Sequence, residues 1–251
     1  MKQIIINADD FGINEVVTSE IERMIELQAI SSTTVMANGR CLEEVKHFVS
    51  LHPEISFGVH LCLSEFDSLT KSERLRIAGI TDEKGQFVHK AIFRLQNYDD
   101  INVKRAIKDE LNAQIDVVSA LGFTVSHADS HHHAHTIYPL RDVFAEVLQK
   151  RGIKKIRLCS DYHSLRAKRH LILWMYRVKL KKYYKSQFIT TDAFCSYSDY
   201  VKNSNRYGEQ VMELMCHPGH NGKSFIDEME LVGSKRVLNS DIKLISYNDL
   251  H

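Results

Sequence analysis

Short apolar runs of strand length alternate with amphipathic segments of helix length throughout this chain, and no other feature of the sequence restricts its fold as tightly. The series begins with QIIINAD, a helical segment from Asn14 to Gln28, then STTVMANG and a second helix near Leu42 to Leu51. ISFGVHLCL reads as a third strand, Val103 to Leu121 as a helix and TVSHADSHH as a fourth strand. Leu140 to Lys150 follows as a helix and KKIRLC as a fifth strand, and SQFITTDAF, VMELMCHPG and IKLISYND complete the set. Strands separated by helices pair in parallel, so seven or eight mostly parallel strands predict an α/β fold, a (β/α) barrel rather than an antiparallel sandwich. An open doubly wound sheet is the alternative. The first helix shows the local logic: Asn14 stands at its N-cap, and Val17, Ile21, Met24 and Ile25 recur at the spacing that buries one stripe.

With 251 residues, 43% of them apolar and 26% charged, the chain can bury one substantial core. A barrel would use all of it, so a single domain over 1–251 is expected. The segment from Ser64 to Asp100 breaks the rhythm with charged residues, mixed periodicity and a turn expected at Asp82 to Gly85. It reads as an insertion at about 64–100, placed over the face where the strands end. A net charge of +1 supplies no overall field toward nucleic acid or an acidic membrane surface. The one strongly basic stretch, Arg166 to Lys185, interleaves Trp174, Tyr176, Tyr183 and Tyr184 with cations and reads as a solvated helix with an apolar face. Nucleic-acid binding there would instead show salt-sensitive affinity. The N-terminus, MKQIIINADD, has neither a signal-peptide apolar region nor a membrane span, so a soluble cytoplasmic protein without a membrane partner is expected; a homodimer is allowed. The five scattered cysteines form no C-x-x-C pair and read as buried free thiols.

The nine residues from His127 to His135, HADSHHHAH, hold five of the fourteen histidines and one aspartate, a crowding of metal-ligand chemistry. The tract lies mid-chain between apolar segments, unlike a terminal tag. Read as a strand end, it directs His127, Asp129, His131, His133 and His135 to one face and His132 to the other. Side chains two apart on a strand are separated by roughly 6.5–7 Å, so at most one or two of them reach a single ion. Further ligands must come from other strands.

Three other strand ends carry ionisable side chains, and in a parallel barrel all of these emerge on one face. NADDFG ends the first strand with Asp9 and Asp10, where a turn at Phe11 and Gly12 would let both face one cavity; a helix-initiating cap is the plainer reading. GVHLCL places His60 within an apolar strand, where burial demands a partner. MCHPGH displays His217 at a turn before Pro218. One aspartate and two histidines make an open set for one divalent ion, with a position left for water or substrate. A neighbouring carboxylate can then act as base and a histidine as acid, roles that Asp9 and His217 fit.

In order, NADDFG, SSTTVMANG, GVHLCLSE, HADSHHHAH, TTDAF and ELMCHPGH resemble the motifs of the YdjC-like carbohydrate deacetylases, which include chitooligosaccharide and diacetylchitobiose deacetylases. The resemblance runs from Asn7 to His220. It implies a TIM-like barrel, one divalent metal ion and removal of the acetyl group from an N-acetylated sugar. It places the metal ligands on Asp10, His60 and His131, the general base on Asp9 and the general acid on His217. Asp129 would orient a ligand or touch substrate, while His127, His133 and His135 would line the cleft, support ligands by hydrogen bonds or satisfy polar groups at the barrel rim. Arg157 is a candidate for sugar hydroxyls or for an ion pair. The chain departs from the commoner family wording at Ala193, where many relatives carry glycine, and in the basic stretch before it. Magnesium or zinc is expected, with manganese or cobalt also compatible with imidazole and carboxylate. A metal-dependent phosphoesterase and a non-catalytic, metal-stabilised carbohydrate-binding protein are the competing readings; the first would call for more carboxylates or a second ion.

Overall fold

The computed structural model describes residues 2–159, 171–204, 208, 210–218 and 242–251. Its centre is β1 (Lys2–Phe11), whose Ile4, Ile5 and Ile6 are all fully buried, as befits a strand covered on both faces. The other strands are β2 (Ser32–Val35), β3 (Ser56–Leu61), β4 (Ala128–Ser130), β5 (Ala193–Ser196), β6 (Val211–Cys216) and β7 (Ile242–Leu244). All pairings are parallel, in the order β4-β3-β2-β1-β6-β5, with β7 also on β1. β6 follows one edge of β1 along Gln3–Ala8, so β7 at Lys2–Ile4 and β2 at Asn7–Phe11 divide the other. The fold is therefore α/β with a parallel sheet, as the alternation predicts.

Helix α1 (Glu15–Glu26) starts where its cap dictates: Asn14 Oδ1 accepts from the Val17 N–H at 3.0 Å. Val17, Ile21, Met24 and Ile25 are all buried, so the sequence stripe is the packed face. Helices α2 (Leu42–Val49) and α5 (Arg141–Lys150) also match their expected segments, and a short α3 (Glu73–Ile77) lies in the insertion. Helix α4 (Ile101–Ser119) begins two residues before the expected Val103, because Asp100 caps the Asn102 and Val103 N–H groups ahead of the first core-facing side chain. Helix α6 (Leu171–Lys185) covers most of the basic stretch, with Leu180 and Tyr184 buried and Trp174 and Tyr176 exposed; residues 166–170 lie outside the described set. Helix α7 (Tyr197–Asn203) follows β5. All five cysteines are free and buried, and no helix among the described residues is long and apolar enough to cross a membrane.

Two expected strands are shorter than the pattern suggests. KKIRLC forms isolated parallel bridges, Ile156 to Ala128 on one side and Lys155 to Ile189 on the other, so residues 154–157 lie between β4 and the approach to β5. The fourth strand stops at Ser130 instead of running through His132. There the Ser130 Oγ accepts from the His135 N–H at 2.9 Å and meets His135 Nδ1 at 2.6 Å, drawing His131–Thr136 into 3-10 turns. His132 and His133 take left-handed φ values of 52° and 59°, so the alternation expected of the tract fails beyond Ser130.

The start of the segment after β3 is held from two sides. Buried Glu110 on α4 accepts from the Leu69 and Thr70 N–H groups at 3.0 and 2.9 Å, and the Asn38 amide donates to the Glu65 and Asp67 carbonyls. The Asp82–Gly85 turn forms as expected: Asp82 Oδ1 accepts from the Lys84 and Gln86 N–H groups, and Gly85 supplies a φ of +81°.

Candidate metal centre and active-site cleft

Parallel pairing carries the C-terminal ends of β1, β3, β4 and β6 to one side, and four of the chemically active segments end there. On β1, Ala8 pairs with Thr33 and Phe11 with Val35, so three steps on β1 face two on β2. This bulge, with Asp10 at φ +71°, turns consecutive carboxylates into one cleft. The reorientation expected at Phe11 and Gly12 thus begins earlier, at Asp10.

Asp10 Oδ1 lies 3.1 Å from His60 Nε2 and 2.9 Å from His131 Nδ1. The far nitrogen of each imidazole meets its own carboxylate: His60 Nδ1 is 2.6 Å from Asp129 Oδ1, and His131 Nε2 is 3.3 Å from Glu65 Oε2. With Nδ1–H of His60 donating to Asp129, a neutral ring would aim its Nε2 lone pair at the Asp10 carboxylate. The arrangement demands a cation, a second proton on the ring or a metal ion between ring and carboxylate. Burial alone would lower the His60 pKa, yet the charges and hydrogen bonds of Asp129 and Asp10 hold it well above its usual value. Burial likewise works against the Asp10 carboxylate, but hydrogen bonds from His131 and His60 keep it well below the usual range. The spacings also suit a metal, since ligands at right angles on an ion with ~2.1 Å bonds stand about 3 Å apart.

Beneath these groups Arg157 is fully buried among three carboxylates. Its Nη1 and Nη2 donate to Asp9 Oδ2 and Oδ1, both at 2.6 Å, while Nη1 also lies 2.7 Å from Asp129 Oδ2 and Nε 2.7 Å from Glu213 Oε1. Of its two expected roles the ion pair is the one observed. The same guanidinium steadies both Asp9 and Asp129, the aspartate that orients His60. Burial would raise the Asp9 pKa, but the charge and hydrogen bonds of Arg157 hold it far below the carboxylate range. Glu213, with Arg157 already opposed by two aspartates, is pushed by burial up to about 7, and the Tyr247 hydroxyl donates to its Oε2 at 2.5 Å.

His217 Nε2 lies 3.8 Å from Asp9 Oδ2, and both line a cleft of about 620 Å³ with Asp10, His60, His131 and His133. His133 packs edge-on against Phe194, with a buried Nδ1 that has no hydrogen-bond partner among the described residues; burial, then the Arg157 charge, lowers its pKa to about 3, so its ring is neutral. Lys90 and Phe93 of the insertion complete the rim.

Two histidines of the tract satisfy buried polar groups away from the cleft. His127 is fully buried, bonded to Asn7 and Ser126 and stacked on Tyr247 with ring centroids 3.6 Å apart, so it does not line the cleft. His135 is tied to Ser130 in the core. Sequence reasoning also left Glu65, Glu213, Tyr247 and Thr34 without roles. Thr34 donates to Asp129 and Glu213 anchors Arg157. A lone glutamate in the apolar strand VMELMC was the available signal for Glu213, because a buried charge requires a partner.

By fold and donor set, this is an α/β protein with a carboxylate–imidazole cluster, Asp10, His60 and His131, able to hold a metal ion at the C-terminal ends of a parallel sheet. The chain belongs to the YdjC-like protein family, whose model matches residues 3–241. It is similar to a carbohydrate deacetylase of Thermoanaerobacter pseudethanolicus, 28% identical over 88% of this chain and 82% of that one. It is also similar to a carbohydrate deacetylase of Clostridium beijerinckii, 24% identical over 99% of this chain and 100% of the other. Among solved structures, a candidate cellobiose-phosphate cleavage protein of Enterococcus faecalis shares the fold, with a TM-score of 0.75, 23% identity and 98% coverage of both chains.

Proposed function

We propose that the protein is a metal-dependent carbohydrate N-deacetylase, hydrolysing the acetamide of an N-acetylated amino sugar or chitooligosaccharide to free amine and acetate. The observation that carries this reading is the convergence of Asp10, His60 and His131 in a cleft that also holds an Asp9–His217 pair. The carbohydrate deacetylases among its relatives support it. Asp10, His60 and His131 would hold one divalent ion, magnesium or zinc, with manganese or cobalt compatible. Bound there, the ion would polarise the acetamide carbonyl and acidify a water.

The remaining steps belong to the chain. Asp9, ionised and clamped by Arg157, receives the proton of the attacking water at a carboxylate oxygen. Its low basicity favours prompt transfer onward, and His217 delivers a proton to the departing amine nitrogen. Asp129 and Glu65 fix the two imidazoles through their far nitrogens. His133 offers a neutral imidazole to the substrate at the cleft wall. The scaffold of this reading is a TIM-like barrel of one domain, which the isolated parallel bridges of Ile156 to Ala128 and of Lys155 to Ile189 support. A cytoplasmic location belongs to the same proposal.

Acetate release from a panel of N-acetylated mono- and oligosaccharides, with metal analysis, tests the assignment. The parent should bind one tight ion and release acetate; His131→Ala should lose both, and Asp9→Asn should keep the ion and lose most of the rate. Absence of both hydrolysis and bound metal in the parent, with every divalent ion tried, would overturn it.

A further inference from the structure

A second imidazole–carboxylate group stands at the mouth of the cleft, built mostly from the insertion. Glu65 divides its two oxygens. Oε2 faces His131 Nε2, whereas Oε1 lies 2.7 Å from His89 Nδ1 and 3.8 Å from His132 Nε2. His132 Nδ1 is 2.9 Å from Ser64 Oγ. With that nitrogen donating to the hydroxyl, the Nε2 lone pair points at a carboxylate oxygen, repeating the relation between His60 and Asp10. An ordinary surface ion pair would need only Glu65 and His89. His132 adds a second imidazole to that pair, with its Nδ1 held by Ser64.

We propose that Glu65, His89 and His132 form a second divalent-cation site, weaker than the first, whose filling inhibits the enzyme. The proposal rests on the reading that Asp10, His60 and His131 hold the first ion. His131 also faces Glu65 and could join Glu65 and His132, but its Nδ1 belongs to the first set, so it is counted there. Two imidazoles and one carboxylate select a zinc-type ion over magnesium. The side chains of His89, Glu65 and His132 are 63%, 30% and 24% exposed, so the site is wet and His89 has room to turn toward the ion. A cation here draws Glu65 away from His131 and stands beside the cleft-lining Lys90 and Phe93, where the sugar must enter.

Zinc titration of metal-free protein by calorimetry, with metal counting after dialysis, reads both sites. The parent should show two classes of ion; Asp10→Asn should lose the tight class, and His89→Ala the weak one. Acetate release should fall as the weak class fills in the parent, and stay level in His89→Ala, which keeps parental activity at one zinc per chain. Magnesium should produce no such fall. A single class in the parent, or a weak class that survives both His89→Ala and Glu65→Gln, overturns the second site. A parent that binds the weak ion without a tight one fails the first assignment and leaves this one standing.

Discussion

The floor and the rim of the cleft are built by opposite means. On the floor, Asp9, Asp129, Glu213, Arg157 and His60 are all buried, and each has a charged partner at hydrogen-bond distance. On the rim, Glu65 is partly exposed, His89 and Phe93 more so, and a short insertion rather than the sheet carries them. Buried charge is tolerable only when compensated, so the floor is a single electrostatic unit in which removing one member strands the others. The rim can vary without that penalty. In the proposed function the floor carries the chemistry, and the rim is free to set selectivity.

The largest expected effect follows from Arg157→Met. It leaves Asp9, Asp129 and Glu213 facing one another without a cation, and a broken buried pair costs about 3–5 kcal/mol. Urea unfolding should show at least that loss, together with loss of acetate release. An unchanged midpoint would dissolve the contrast, because the floor would then not be a charge-compensated unit.

Next comes Glu213→Gln, which reads the same unit through pH. Glu213 is held at about 7 against an ordinary 4.5, so the folded protein keeps its proton where the unfolded chain has lost it. Its contribution to stability is therefore complete below pH 4.5 and is lost as pH rises toward 7, a decline of about 3 kcal/mol. Glutamine preserves size and neutrality and should remove that decline. Denaturant unfolding at several pH values between these limits checks it; parallel profiles for parent and variant would place the proton elsewhere.

Much of this division was legible in the sequence, for a physical reason. A buried parallel strand leaves a continuous apolar run, and a polar residue within or just beyond it, such as Asp10 or His60, stands out. The stripe of α1 and its Asn14 cap are equally local signals. What stayed hidden depends on distant partners or on backbone irregularity. Tyr247 stacks on His127 across more than a hundred residues, and no local pattern announces the pair. The Asp10 bulge and the left-handed His132 and His133 break the periods on which strand reading relies. Ser130 ends β4 by binding His135, so a tract that alternates on paper becomes a turn.

Asp129→Asn probes the link between floor and metal. Asparagine keeps the shape but weakens the charge that holds the His60 Nδ1–H, so affinity for the tight ion should fall by roughly 10–100-fold. Equilibrium dialysis against a chelator measures it. An affinity within twofold of the parent would show that Asp129 merely neutralises Arg157.

The smallest effect belongs to the rim, where Phe93→Ala separates the two regions most sharply. Phe93 lines the cleft yet is 37% exposed, so its ring is available to pack on an apolar sugar face and contributes little to the core. Losing a contact of about 1 kcal/mol lowers kcat/KM about fivefold, and the loss should appear in KM with kcat nearly unchanged, because the ring is placed to bind and not to react. Unfolding free energy should stay within about 0.5 kcal/mol of the parent. A fall in kcat with KM unchanged would place Phe93 among the groups that act at the transition state, and the boundary between floor and rim would have to be redrawn to include the insertion.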